Sequence, residues 1–437
     1  MRTNHLPYGF ARRCLAAVAL IAAFTAIAQP AAAQAPEGFV VADGDRFGVV
    51  SGGALEPWRP LGYNQYRLTS APGGYTCDGG YGDVSDQKLA VWLDQIRAAG
   101  ATVVRTWFFQ SQFDPDGTGA REQGSFAAFD RVVAGAAARG MKVVPVLVNH
   151  WADCEFAGAA KDVSFYESGY RSPGYGYALS YRDYAQRVAS HYANEPAIAF
   201  WQLANEAEAP SPGGGCEQGR AASALRGFAA EMTAAIKQAD PNHLVSLGTM
   251  GSGQCGSAGG DYRQIHEPVD ICEYHDYDYE GNPADNVDNP MPGDEWNGLG
   301  KRLSQCGPAG LDKPLFIGEA GISSEVSLGA RAEYFAAKIE AQLAAGVDGI
   351  VLWDKVLESS DSPEVAGGHE AYGIGYGDPT ENVTRSYGAP WDGTAAPWRG
   401  ESRGKRKCKP RPGRKGRGGD RGRRCKGGSR RSALPLG

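Results

Sequence analysis

The chain has 437 residues, too many for one small domain and ordinary for a single α/β barrel with extensions. Its formal charge of -6 hides two opposite parts: residues 399–437 carry 16 Lys and Arg against Glu401 and Asp420, whereas residues 34–398 carry 25 basic and 48 acidic residues. The acidic part, at -23, gives no reason to expect a nucleic-acid partner.

The first 33 residues read as a secretory signal. Arg2, Arg12 and Arg13 precede an apolar run from Cys14 to Ala28, and Ala31-Ala32-Ala33 fits a cleavage site before Gln34. The alternative is an uncleaved anchor; the run is short for a membrane span, and no second run of spanning length occurs. Residues 34–398 are therefore expected to form the exported body and residues 399–437 a disordered basic tail. Export leaves eight cysteines in an oxidising compartment, read as disulfides because no spacing is CxxC or a Cys/His zinc pattern.

The segment GFVVADGDRFGVVSG alternates apolar residues around Asp-Gly and predicts a β-hairpin. Strand-like runs follow at 59–66, 102–109, 142–149, 197–204, 243–248, 269–275, 313–319 and 349–353. Between them lie helical patterns such as SDQKLAVWLDQIRAAG and ARAEYFAAKIEAQLAAG, several ending in Gly. Eight apolar strands alternating with helices predict a parallel sheet closed as a (β/α)8 TIM barrel. An open doubly wound sheet would want a Gly-rich phosphate loop after an early strand. GSGQCGSAGG follows the fifth strand, lacks a Lys or an ordered GxGxxG, and reads as a plain loop.

In a barrel, chemistry sits at the C-terminal ends of the strands. Those ends carry Asn64, Arg105 with Trp107, Asn149-His150-Trp151, Asn205-Glu206, His275 with Tyr277, Glu319 and Trp353. Glu206 closes AIAFWQLANE and Glu319 closes PLFIGE, and a buried strand end is a costly place for a carboxylate without a partner. Two carboxylates facing one cleft are what glycoside hydrolysis needs.

The pieces VRTW, LVNHW, WQLANE, HDY, GEAG and LW occur in that order at successive strand ends over residues 38–360. With them the chain resembles glycoside hydrolase family 5, and within it the endo-β-1,4-mannanases. The resemblance implies Glu206 as acid/base and Glu319 as nucleophile of a retaining hydrolase that uses no metal or other cofactor. It implies that Asn205 holds the sugar 2-hydroxyl and that Arg105 and Tyr277 support the nucleophile. It places His275 near the acid/base and Trp353 under the subsite beside the cut bond. Glu206 is expected to have a raised pKa and Glu319 to stay ionised.

The sequence departs from the family pattern at Ala207-Glu208, where members often carry Pro and mannanases Arg. A cellulase or other β-glucan or xylan hydrolase is therefore the alternative within the class. A non-catalytic carbohydrate-binding barrel would be expected to lack one glutamate. Asn194-Glu195-Pro196 spells the family's Asn-Glu-Pro but precedes its strand, so it reads as a helix stop. Asn149 is a further candidate, and His150 is equally a site or a packing residue. Trp107, Trp151 and Trp296 stack sugars or fill the core. The acid-rich loop 273–288 lacks EF-hand spacing and reads as solvated.

Three pairings are favoured among the body cysteines. Cys77–Cys154 and Cys216–Cys255 join loops that neighbour one another at the top of the barrel, and Cys272–Cys306 is the remainder. The expected partners are a β-linked polysaccharide and, for the tail, an anionic cell-wall polymer; the body is expected to be a monomer.

Overall fold

The computed structural model describes residues 35–70, 84–113, 124–151, 153–155, 160–277, 291–357 and 372–387. The signal, Cys77, most of the 273–288 loop and the basic tail lie outside the described residues.

Strands β1 (Val40–Asp43), β2 (Arg46–Ser51) and β3 (Ala54–Pro57) form an antiparallel sheet. The predicted hairpin is its first two strands. β3 escaped the pattern because Ala-Leu-Glu-Pro shows no alternation and ends in Pro. Phe47 on β2 stacks on Phe200 at 5.9 Å, and Phe200 meets Phe316 edge-on at 5.1 Å. These rings join Val103, Val144, Ala199, Ile271 and Val351 in one buried cluster, so the small sheet plugs the N-terminal end of the barrel.

The barrel strands are β4 (Leu61–Asn64), β5 (Val103–Trp107), β6 (Lys142–Val146), β7 (Phe200–Gln202), β8 (Leu244–Ser246), β9 (Cys272–Tyr277), β10 (Leu315–Gly321) and β11 (Gly349–Leu352). They run in the order β8-β7-β6-β5-β4-β11-β10-β9, all parallel where paired. A parallel bridge between Ser246 and Ile271 joins the two ends of that order. This is the predicted (β/α)8 barrel, with helices on the outside covering the largely apolar outward side chains of the strands.

Several helix ends follow local capping chemistry. Ser85 caps Asp86–Ala98 by accepting from Lys88 N at 3.2 Å, and Ser180 caps Tyr181–Tyr192 by accepting from Asp183 N at 3.1 Å. Gly346, at φ 107°, closes Leu328–Ala345 in the left-handed conformation that glycine adopts freely. Helix Tyr181–Tyr192 stops just before Asn194, and Glu195 Oε1 accepts from Ala197 N at 2.9 Å. The Asn-Glu-Pro triplet is thus a helix stop that precedes its strand.

Cys216–Cys255 and Cys272–Cys306 are bonded as predicted, with Cα separations of 5.6 and 6.3 Å. Cys154 is also disulfide-bonded. Among the described residues, no helix is long and apolar enough to cross a membrane.

Candidate active site

Side chains on a strand alternate in direction, and β9 shows what that does. Ile271 lies in the inner cluster, whereas Cys272 and Tyr274 belong to the outer core between strands and helices. Glu273, His275 and Tyr277 therefore project into the barrel. Asp276 projects outward, where it accepts from Lys338 Nζ at 2.9 Å and Gln342 Nε2 at 2.5 Å.

Arg105 on β5 is fully buried and joins four neighbours. Its Nε donates to Gln202 Oε1 at 2.8 Å, its Nη1 to Asn64 Oδ1 and Glu319 Oε1, both at 2.8 Å, and its Nη2 to Asn205 Oδ1 at 2.6 Å. A guanidinium suits this place because its donors form a rigid planar fork. Tyr277 OH donates to the other oxygen of Glu319 at 2.5 Å.

Glu319 owes its position to an irregularity. Ile317 pairs with Tyr274, but Glu319 pairs with His275, so one residue of β10, Gly318, is unmatched. A side chain at Gly318 would collide with Glu273 Oε1 and come within 2.8 Å of His275 Nε2. Only glycine fits where the two strands and the buried carboxylate meet.

Glu206 follows β7 in a left-handed backbone conformation, φ 54°. That conformation is uncommon for a residue with a side chain and clusters at functional sites. Its Oε1 accepts from His275 Nδ1 at 2.8 Å and its Oε2 from Trp151 Nε1 at 2.5 Å. His275 Nδ1 is also 3.6 Å from Glu319 Oε2, so the imidazole stands between the two glutamates. One carboxylate oxygen of each glutamate and a nitrogen of His275 all lie within 4.8 Å of one another. A metal ion could bridge that spacing. However, the four carboxylate oxygens already accept hydrogen bonds from Arg105, Tyr277, His275 and Trp151, and the guanidinium supplies the cation.

The electrostatics reverse one expectation. Burial opposes protonation of His275, but the Glu319, Glu206 and Glu273 carboxylates overcome it and raise its pKa to about 9. Burial alone would raise Glu206; the hydrogen bond and charge of His275, with Trp151 and Arg105, hold it below the usual carboxylate range. Burial is also the largest influence on Glu319, and with the charge of Glu206 it outweighs the charges of His275 and Arg105 and the Tyr277 hydrogen bond, leaving Glu319 raised. In the resting site the order is thus opposite to the expected one, because the proton sits on His275 and Glu319 is the more deeply buried of the two.

Other candidates fall into place around this centre. Asn205 Nδ2 donates to Asn149 Oδ1 at 3.2 Å, linking β7 to the end of β6. Trp353 stacks on Tyr66 at 5.7 Å and lies 6.0 Å from Trp107. Trp107 is itself only 4% exposed, packed on Phe109 and under the Arg105 guanidinium, so it fills the core and cannot stack a sugar. Trp151 and Trp296 are 42% and 63% exposed. His150 touches neither central glutamate: its Nε2 lies 3.3 Å from Glu208 and its Nδ1 3.4 Å from Tyr166 OH. It is a buried packing residue one step from the site.

Residues not singled out from the sequence complete the network. Gln202 orients Arg105 and donates to Glu273, which also accepts from Ser246 Oγ at 2.8 Å. A charged residue inside the apolar run VDICEYH was the available signal for Glu273.

Residues 69–354 match the profile described as Cellulase (glycosyl hydrolase family 5). The chain is 29% identical over 197 residues to mannan endo-1,4-beta-mannosidase F of Aspergillus fumigatus, covering 41% of this chain and 42% of that protein. It is 26% identical over 264 residues to mannan endo-1,4-beta-mannosidase F of Aspergillus clavatus, covering 53% and 56%. The chain spans about half the length of the curated relatives it matches. Among solved structures it is similar to the endo-1,4-beta-D-mannanase of Thermotoga petrophila RKU-1, with a TM-score of 0.55 at 21% identity over 76% of this chain and 99% of that one. It is likewise similar to the endo-1,4-beta-mannanase of Rhizomucor miehei, at 0.54 and 17% over 80% and 98%. At these identities the structural likeness speaks for the fold.

Proposed function

The chain belongs to glycosyl hydrolase family 5, and on that premise we propose that it is a retaining endo-β-1,4-mannanase acting by double displacement. The observation that carries the retaining mechanism is the closeness of two differently partnered glutamates. One oxygen of each lies within 4.8 Å of the other, a closeness that supports retention, with carboxyl groups about 5–5.5 Å apart, over inversion, with about 6.5–9.5 Å. Glu319, held by Arg105 and Tyr277, attacks the anomeric carbon. Glu206 protonates the leaving oxygen and then activates the water that releases the glycosyl-enzyme. The acid's proton is stored on His275, 2.8 Å from Glu206, and moves along that hydrogen bond when substrate fills the cleft. Asn205 binds the sugar 2-hydroxyl and Trp353 floors the subsite beside the cut bond.

Mannan is the favoured backbone because relatives and fold neighbours bear mannanase names. A β-glucan or xylan backbone is the second reading, favoured by Ala207-Glu208 where mannanases often carry Pro-Arg. The N-terminal run supports export, and the basic residues of 399–437 support retention on anionic wall polymer.

The decisive experiment screens the protein against mannan, glucomannan, cellulose, xylan and β-galactan, sizes the products and follows the anomeric configuration by NMR. Glu206→Gln and Glu319→Gln should each lower turnover at least about a hundredfold. An inverted product, or near-normal activity of either variant, would refute the assignment.

A further inference from the structure

The turn after β6 contains a buried carboxylate that the chemistry above does not use. Glu155 is 5% exposed. Its Oε1 accepts from Asn149 N at 2.9 Å and lies 3.8 Å from Lys161 Nζ, and its Oε2 accepts from Tyr177 OH. Asn149 then closes the turn on itself. Its Oδ1 accepts from Trp151 N at 3.2 Å, and its Nδ2 donates to Asp153 O at 3.0 Å. The carbonyl of Cys154 accepts from Ser111 Oγ at 2.6 Å.

What this turn carries is Trp151. Its side chain is 42% exposed, yet its Nε1 reaches Glu206 Oε2 at 2.5 Å. The indole meets the buried His150 ring edge-on at 4.7 Å on one side and is otherwise open, so its position depends on that ring and on the backbone beneath it. That backbone is pinned at Asn149, and Asn149 is pinned by Glu155.

We infer that Glu155 is a positioning residue for proton transfer: it fixes the backbone at Asn149, and through it Trp151, so that the Trp151 N–H stays on Glu206 and sets the orientation and acidity of that group. The inference rests on the reading of Glu206 as acid/base. The competing account is an ion pair with Lys161 that serves stability alone, and the two accounts predict different kinetics. A donor to a carboxylate favours its charged form, so losing that donor raises the Glu206 pKa. The proton shared by Glu206 and His275 then rests more on Glu206, and the basic limb of the kcat/KM profile, which reports loss of that shared proton, moves to higher pH. A fault in acid catalysis also harms a poor leaving group more than one that departs without a proton.

The test uses the full chain with the double variant Glu155→Gln/Lys161→Met, which removes both charges and leaves no unpaired buried ammonium. Trp151→Phe is its reference. For each, kcat/KM is measured against pH on an unactivated oligosaccharide and on the dinitrophenyl glycoside of the same sugar, β-mannan first and β-glucan second. The double variant should lose about tenfold more on the unactivated substrate than on the dinitrophenyl one. Its basic limb should rise in the same direction as that of Trp151→Phe. If the double variant melts early, Tyr177→Phe removes one donor to Glu155 and should show the same split in smaller measure. Equal losses on the two substrates, or an unmoved basic limb, would overturn the inference and leave Glu155 a structural residue. Glu206→Gln run in parallel separates the two claims: if it cleaves both substrates normally, the acid/base reading itself is wrong.

Discussion

Arg105 offers the sharpest perturbation, because one buried guanidinium holds Glu319, Asn205, Asn64 and Gln202 together. Arg105→Lys keeps the charge beside Glu319 but replaces a planar fork with a point donor. If the ammonium keeps two of the four bonds, two are lost. At about 1.5 kcal/mol for each bond from a charged donor, the cost is about 3 kcal/mol. That is roughly two decades in kcat/KM, provided Asn205 and Glu319 lose their alignment as their donor is lost. Arg105→Met removes the charge as well. Leaving one member of a buried ion pair alone costs about 3–5 kcal/mol of stability, so the melt should shift with the activity. Loss of a positive neighbour also raises the pKa of Glu319 further, and the acid limb of kcat/KM, which reports the ionised nucleophile, should move to higher pH. The assay is kcat/KM from acid to alkaline pH for wild type and both variants, with thermal melts alongside. Arg105→Lys within about threefold of wild type, or an unmoved acid limb in Arg105→Met, would refute the reasoning.

Three further outcomes are expected. Gly318→Ala should depress activity more than stability, because its methyl would push Glu273 and His275 out of register with Glu319; unchanged kcat/KM would show that the strands absorb it. Replacing Cys272 and Cys306 together by Ala opens a loop with a sequence separation of 34 and should cost about 4 kcal/mol in the chain-entropy account, read from the denaturant midpoint. His275 has a folded pKa of about 9 against an unfolded value near 6.5, so its contribution is fully present below pH 6.5 and is lost as pH rises through 9. Across that window the wild-type curve should fall on the order of 3 kcal/mol further than that of His275→Gln; parallel curves for the two proteins would contradict this.

Much of this architecture was written in hydropathy. Runs such as KVVPVLVN and KPLFIGE are apolar on both faces, and that alone requires a sheet covered on both sides. Ser85, Ser180 and Gly346 marked helix ends through capping chemistry that acts within a few residues. Glu206 and Glu319 stood out because each closes a buried run. The pKa order was not legible, since it depends on His275 standing between two carboxylates from other strands. Trp107 was not legible either: strand position gives the direction of a side chain, but its cover comes from Tyr66 and Trp353, which lie far off in sequence. Glu155 lies in a turn whose partners, Lys161 and Tyr177, flank the short helix Val163–Glu167 in a stretch with no periodic signal.

Regular strand geometry would not build this site, and the two departures from it fall at the two glutamates. On β10, Phe316 faces the inner cluster and Ile317 the outer one. Strict alternation would then aim Gly318 and Ala320 into the barrel and turn Glu319 away. The unmatched residue at Gly318 changes the parity, and Glu319 arrives beside His275. On the other side, Asn205 and Glu206 are consecutive, so in a continuing strand they would point to opposite faces. Both are needed in one cleft, Asn205 on Arg105 and Glu206 on His275. Beyond the end of β7, the left-handed backbone at Glu206 brings the second side chain round to the first. Each irregularity costs local stability that a plain strand would keep. Each is also the step that converts a strand-end carboxylate into one of a facing pair, which explains why the costs are borne at these two positions.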